Sequence, residues 1–223
     1  TYYFSTLGQP DHPHFRYEHL EDYLAALRDR PKLLVKKNWN AFRKHGRFYH
    51  PRVRGEATAS YAKLKKEVIE DIVRLNPQVK AILMLRNPVD RTLSNAKKDL
   101  VRNRGRSMSD VSVDEFAAFF RGKGQLRVAA LSEVLERWRS LLEPDHLFLG
   151  KFSNIAENPG ELLSSIHRFL GVETGPRYFG RHLHEQINPT KDSVPPEVRQ
   201  VAEEILAEEV RDYEAILSEL ATS

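Results

Sequence analysis

The chain has 223 residues, a length typical of one α/β domain with an appended helical piece. It contains no cysteine, which excludes disulfides, zinc–thiolate sites and a cysteine nucleophile, and it has no apolar run near the ~20 residues of a membrane-spanning helix. The net charge of +4 permits an anionic ligand but is mild for a nucleic-acid-binding protein.

The first half of the chain predicts a loop, two helices and a buried strand. Histidines, aromatic residues and prolines crowd residues 2–17 and favour a loop, and a short helix is predicted over Leu20–Leu27. Apolar residues recur at helical spacing over Leu64–Leu75, and a proline closes that segment. Ala81–Leu85 is short and continuously apolar, which is typical of a strand that is buried on both faces.

A helix is predicted directly after this strand. Asn87 is a favourable N-cap residue, and Pro88 suits the first helical position because its missing N–H would have no partner there. Asp90 places a negative charge at the positive end of the helix dipole.

The second half predicts a further strand among helices. Helices are expected over Gln125–Leu142, over Gly160–Leu170 with Gly171 as the stop, and over Pro196–Leu220, and Leu147–Leu149 is a second buried strand. This order of elements predicts an α/β fold, a parallel β-sheet flanked by helices. Ligands of such sheets bind at the carboxyl ends of the strands, so the segment after Leu85 is the first candidate site.

Arg86 and Ser94 form the candidate anion site. Arg86 leaves the strand at its carboxyl end, and its guanidinium offers a planar fork of donors that fits a phosphate. Ser94 lies about two turns into the next helix, whose N-terminal N–H groups add positive potential. The alternative is an Arg86 that pairs with a surface carboxylate and a Ser94 that is an ordinary helix residue.

The sequence Leu-Arg-Asn-Pro-Val-Asp-Arg-Thr-Leu-Ser at 85–94 resembles the sulfotransferase segment that grips the 3'-phosphate of the sulfuryl donor. That segment has an arginine after the strand and a serine eight positions on, as Arg86 and Ser94 are here. Three further parts of the chain resemble the family in the same order: residues 55–61, residues 131–138 followed by 147–149, and residues 157–171.

The resemblance implies a P-loop-NTPase-like sulfotransferase fold over a single domain, 1–223. It also implies transfer of a sulfuryl group from 3'-phosphoadenosine 5'-phosphosulfate (PAPS), with release of 3'-phosphoadenosine 5'-phosphate (PAP), to a small-molecule or carbohydrate acceptor without a metal. Neither a nucleic-acid partner nor a membrane span is expected. The lack of cysteine and of a visible anchor favours a bacterial cytoplasmic enzyme.

The family's other donor loop, a Gly-rich strand–loop–helix with a lysine, has no counterpart in this sequence and is expected upstream of Thr1. The catalytic base is therefore expected upstream as well, with His12 and His14 as the candidates inside the chain, since histidine titrates near neutral pH. Lys191 and Arg181 are candidates for a basic loop over the donor nucleotide.

Two rival functions remain open from the sequence. A nucleotide-dependent phosphotransferase shares the core plan of this fold, but it would need a metal-binding carboxylate at the end of a strand. The second predicted strand is followed by Gly150-Lys151, which argues against this alternative. A non-catalytic binder of anionic polymers would need clustered basic residues, of which 103–106 is a short example.

Overall fold

The chain forms two compact units, Thr1–Leu64 and Lys65–Ser223. A single domain over 1–223 stays a prediction. The computed structural model describes residues 2–29, 31–180, 182–185 and 193–222.

Both units contain α-helices. In the first unit the helices are α1 (Leu20–Ala26) and α2 (Pro31–His45). In the second unit the elements are α3 (Lys66–Leu75), β1 (Ala81–Leu85), α4 (Pro88–Ala96), α5 (Val113–Phe120), α6 (Lys123–Ala129), α7 (Leu131–Arg139), β2 (Leu147–Lys151), α8 (Asn154–Glu157), α9 (Pro159–Leu170), α10 (Pro196–Ile205) and α11 (Ala207–Thr222). No described helix is both long and apolar enough to cross a membrane.

Aromatic residues make the small core of the first unit. Tyr3, Phe4 and Tyr23 are buried, and the rings of Tyr3 and Tyr23 stack with their centroids 4.4 Å apart. Glu56 Oε1 accepts hydrogen bonds from the hydroxyls of Tyr23 at 2.7 Å and Tyr61 at 2.6 Å. Burial and the neighbouring carboxylate raise the pKa of Tyr23, so its hydroxyl stays a donor at neutral pH. These contacts tie α1 to the chain around residue 60.

The second unit is built on a parallel pair of strands. β1 and β2 pair in register, with Ala81 opposite Leu147 and Leu85 opposite Lys151. Their carboxyl ends therefore meet at one edge, as the sequence predicts. The predicted α/β class is confirmed.

Two apolar clusters hold the helices in place. One cluster joins α4, α5 and α10 and includes the fully buried Phe116 and Phe120. The other packs α7 and α11 on β1 and includes Leu85, Leu135 and Tyr213. Burial of such side chains stabilises by about 2 kcal/mol each, so the strand end is held by well-packed surroundings.

The helices predicted over Gln125–Leu142 and Pro196–Leu220 are each two helices in the structure. The first breaks at Ala130, which has a ψ of 75°, and the second breaks at Leu206, with φ −107° and ψ 20°. The reason is packing, because in each case the first half contributes to the α4–α5–α10 cluster and the second half to the cluster on β1. Neither break carries a glycine or a proline.

Candidate functional site

The junction between β1 and α4 positions the candidate site. Leu85 is fully buried at the strand end, and Asn87 caps α4 by accepting from the backbone N–H of Val89 at 2.9 Å and of Asp90 at 3.3 Å. Pro88 occupies the first helical position, as predicted. The side chain of Arg86, half-buried, is thus fixed between a rigid strand end and a capped helix.

The end of β2 brings a second chain segment to Arg86. Because the strands are parallel and in register, Phe152 follows β2 where Arg86 follows β1, and its N–H donates to the Leu85 carbonyl at 2.8 Å. The guanidinium of Arg86 lies over the Phe152 ring, 4.9 Å from its centroid. Such a contact orients the guanidinium without using its hydrogen-bond donors.

A third wall comes from the exposed face of α4. Asp90, Ser94 and Lys97 follow one another at four and three residues, so they lie on one face of the helix and its continuation. The chain continues past α4 as a π-helical turn at Lys97–Val101, a rare form that often occurs at functional sites.

These segments enclose a cleft of about 360 Å³. Its size falls within the range of small-molecule sites. The cleft is lined by Arg86, Asn87, Asp90, Leu93, Ser94, Lys97, Phe152, Ser153, Val194, Arg199 and Tyr213.

Cations outnumber acidic residues in the lining. The lining contains three cations, Arg86, Lys97 and Arg199, and one acidic residue, Asp90, whose Oδ1 lies 2.9 Å from Nη2 of Arg199. Burial lowers the pKa of Arg86, and the nearby Asp90 opposes that shift. Arg86 remains charged at neutral pH because the ordinary pKa of an arginine lies far above neutrality.

The charges of the cleft also shift the pKa values of two further groups. Burial, followed by repulsion from Arg86, lowers the pKa of Arg91 to about 10. Burial raises the pKa of Tyr213, as do the charges of Asp90 and Glu157, so its hydroxyl stays protonated at neutral pH. The cleft therefore combines positive charge with neutral hydroxyl donors, an arrangement that suits a multiply charged anion.

The structure brings the two main predicted site residues together. Arg86 and Ser94 line the same cleft. His12 and His14 lie in the first unit, where His12 Nδ1 accepts from the N–H of His14 at 3.1 Å and the His14 ring stacks on Tyr2 at 4.3 Å. Arg181 and Lys191 lie outside the described residues.

Sequence reasoning did not place several charged and aromatic lining residues in the cleft. Lys97, Phe152, Arg199 and Tyr213 come from the π-helical turn, the end of β2, α10 and α11. Phe152 could have been found from the sequence, because an aromatic residue directly after a parallel strand must lie near the end of its neighbour. The other three depend on helix packing.

The short basic stretch 103–106 bears on the polymer-binding alternative. The basic residues of 103–106 are engaged, since Arg106 lies 2.7 Å and Arg104 3.3 Å from Oε1 of Glu115. Over the part of the chain that the structure describes, no three His, Asp or Glu side chains are grouped as a metal site would need.

Comparison with known proteins gives a family match and a structural likeness. The family model for sulfotransferase domains matches residues 58–201. Among solved structures, a crystal structure of a sulfotransferase from Alicyclobacillus acidocaldarius is similar, with a TM-score of 0.58 and 20% identity over 97% of this chain and 82% of that chain. At this identity the structural likeness concerns the fold. No curated protein matches the sequence.

Proposed function

The chain belongs to the sulfotransferase domain family, and on that premise we propose that PAPS is its donor and a hydroxyl or amine of a sugar, lipid or natural product its acceptor. The observation that carries the proposal is the joint lining of one cationic cleft by Arg86 and Ser94 at the end of a parallel strand. In this reaction the acceptor oxygen or nitrogen bonds to sulfur, the bond from sulfur to the 5'-phosphate oxygen breaks, and a base takes the acceptor proton.

Arg86 and Ser94 are proposed to hold the 3'-phosphate of the donor. The guanidinium of Arg86 donates two hydrogen bonds to a phosphate, and its stacking on Phe152 keeps the fork in place. Ser94 adds one hydroxyl donor, and the N-terminus of α4 adds the positive end of a helix dipole. These contacts fix the register of the donor, and positioning is a major part of catalysis in group transfer.

The remaining cleft suits the nucleoside part of the donor. The cleft offers Phe152 and Tyr213 as aromatic surface beside the cations Lys97 and Arg199.

His12 and His14 remain candidates for the acceptor's base, because imidazole accepts a proton near neutral pH.

Calorimetric titration with PAP and with 5'-AMP tests the donor site, since the two ligands differ only in the 3'-phosphate. We expect PAP to bind with a Kd on the order of micromolar. Arg86→Ala should weaken PAP by about tenfold to a hundredfold, as for a charge-assisted contact, and Ser94→Ala by about fivefold. Both changes should leave 5'-AMP almost unaffected.

Arg121→Ala is the matched control, because Arg121 is an exposed arginine at the end of α5 outside the cleft lining. If Arg86→Ala weakens PAP and 5'-AMP equally, Arg86 does not hold the 3'-phosphate. If the intact chain binds neither ligand, the donor assignment fails and titration with ATP and Mg²⁺ decides whether a phosphotransferase takes its place.

A further inference from the structure

Positive charge is concentrated in one part of the first unit. The segment Arg28–Arg54 holds ten lysines and arginines but a single acidic residue, Asp29. It therefore carries +9, although the whole chain carries only +4. A local excess of this size attracts anionic surfaces over distances of about a Debye length.

The helix α2 in this segment turns polar side chains toward its own unit. Lys37 forms an ion pair with Asp29 and donates to Tyr49 Oη at 3.1 Å, and Asn38 Oδ1 accepts from the N–H of Tyr49 at 2.9 Å. Lys37, Asn38 and Ala41 are partly buried, and the other side chains of α2 that the structure describes are exposed. The outward face of α2 is thus available to a partner.

That outward face is apolar. Val35, Trp39 and Phe42 follow one another at four and three residues, so they form one stripe, and they are 71%, 63% and 51% exposed. Phe48 is 74% exposed, and its ring stacks on Phe42 with a centroid distance of 5.7 Å. Four large apolar side chains in solvent on one face are a patch that marks an interaction site.

A basic stripe runs beside the apolar one. Lys32 and Lys36 are one helical turn apart, and Arg43 lies seven residues after Lys36, so the three cations share a face adjacent to Trp39. All three side chains are exposed. A stripe of lysine and arginine beside a stripe of aromatic and aliphatic residues is typical of a helix that lies in the interface of a bilayer.

We propose that Arg28–Arg54 docks the protein on an anionic lipid bilayer, with the Val35–Trp39–Phe42–Phe48 stripe among the acyl chain ends and the cations at the headgroups. A second copy of the chain is a poor occupant, because it would bring +9 against +9. An anionic polymer would use the cations but would leave Val35 exposed.

Co-sedimentation of the intact chain with phospholipid vesicles tests the docking. We expect binding to vesicles of phosphatidylcholine mixed with phosphatidylglycerol at about 100 mM salt and much weaker binding to pure phosphatidylcholine. Trp39 also reports insertion by a blue shift of its fluorescence, since the other tryptophan, Trp138, is buried at 6% exposure and should not change.

Surface variants distinguish the contributions of the apolar and the basic stripe to vesicle binding. Trp39→Ser and Phe48→Ser should each lower the partition coefficient by about tenfold through lost apolar burial. Lys36→Gln should lower it by about fivefold. Leu75→Ser, at an apolar position on α3 that is 50% exposed, and Arg121→Gln are the matched controls and should bind like the intact chain.

Equal binding to neutral and anionic vesicles, or equal loss in Leu75→Ser and Trp39→Ser, would overturn the proposal. Retention on heparin with no vesicle binding would assign the surface to an anionic polymer instead and would also overturn it. The measurements contain no activity readout, so their failure leaves the proposed sulfuryl transfer untouched.

Discussion

Positive charge is organised in opposite ways in the two units. In the second unit, Arg86, Lys97 and Arg199 come from separate stretches of chain and converge on one cleft, where Asp90 pairs with one of them. In the first unit, the ten cations of Arg28–Arg54 share one acidic residue and are spread along a helix and its flanks. Convergent charge selects a small anion of defined shape, whereas spread charge beside apolar side chains suits an extended surface.

Deleting a phenyl ring in each unit gives the largest expected contrast. Phe120 is fully buried, so Phe120→Ala should lower the free energy of unfolding by about 3–5 kcal/mol through the lost burial and the cavity left behind. Phe48→Ala should change the free energy by less than about 0.5 kcal/mol, because Phe48 is 74% exposed. Urea unfolding measures both, and a large loss in Phe48→Ala would show that this ring is covered in solution.

Salt should separate the two kinds of charge. Raising salt from about 50 to 500 mM shortens the Debye length from roughly 14 Å to 4 Å, which screens exposed charges far more than partly buried ones. We therefore expect vesicle binding to fall by about two orders of magnitude and PAP affinity by about tenfold or less. Vesicle sedimentation and calorimetry measure the two effects. Equal losses would show that the cleft and the segment Arg28–Arg54 are screened alike.

Removing the cap of α4 has a smaller expected effect. Asn87→Ala should cost about 1 kcal/mol of stability, since two backbone N–H groups lose their acceptor. Asn40→Ala, at an exposed position of α2, is the matched control and should not destabilise the chain, because alanine is the better helix former. Urea midpoints that shift equally in both variants would contradict the role of the cap.

The smallest expected effect is on the stability of the folded chain at acidic pH. A hydrogen bond from Lys37, followed by the charges of Lys37 and Arg54, lowers the pKa of Asp29. The folded state therefore favours the carboxylate, and this stabilisation is complete above the ordinary pKa near 3.9 and is lost as the pH falls below about 4. Thermal unfolding followed by circular dichroism between about pH 2 and pH 6 should be less pH-dependent in Asp29→Asn than in the intact chain.

Asp22→Asn is the control for this measurement, because Asp22 is an exposed aspartate of α1 in the same unit. An identical pH dependence in Asp29→Asn and the intact chain would contradict the assigned role of the ion pair.

Local signals made one part of the cleft predictable from sequence. The apolar run of β1, the cap at Asn87 and the proline at the first helical position all act within a few residues, so the sequence places Arg86 and Ser94 correctly on strand end and helix. The family resemblance adds that these residues belong to a sulfotransferase segment, and the match over residues 58–201 confirms the family.

Tertiary packing decided what the sequence did not predict. The breaks at Ala130 and Leu206 have no helix-breaking residue, and each occurs where consecutive helices enter different apolar clusters. Arg199 and Tyr213 reach the cleft only because α10 and α11 pack beside α4. The helix α2 was not predicted from hydrophobic periodicity, because its inward face is polar and its outward face is apolar.

The parallel pairing of β1 and β2 has a kinetic consequence. Ala81 pairs with Leu147, 66 positions further along the chain, so loop closure costs entropy before the non-local contacts of this pair can stabilise it. Arg86 and Phe152 come together only when the pair has closed. A ligand of the cleft therefore binds the end product of folding, and it should lengthen the lifetime of the folded chain without speeding the folding itself.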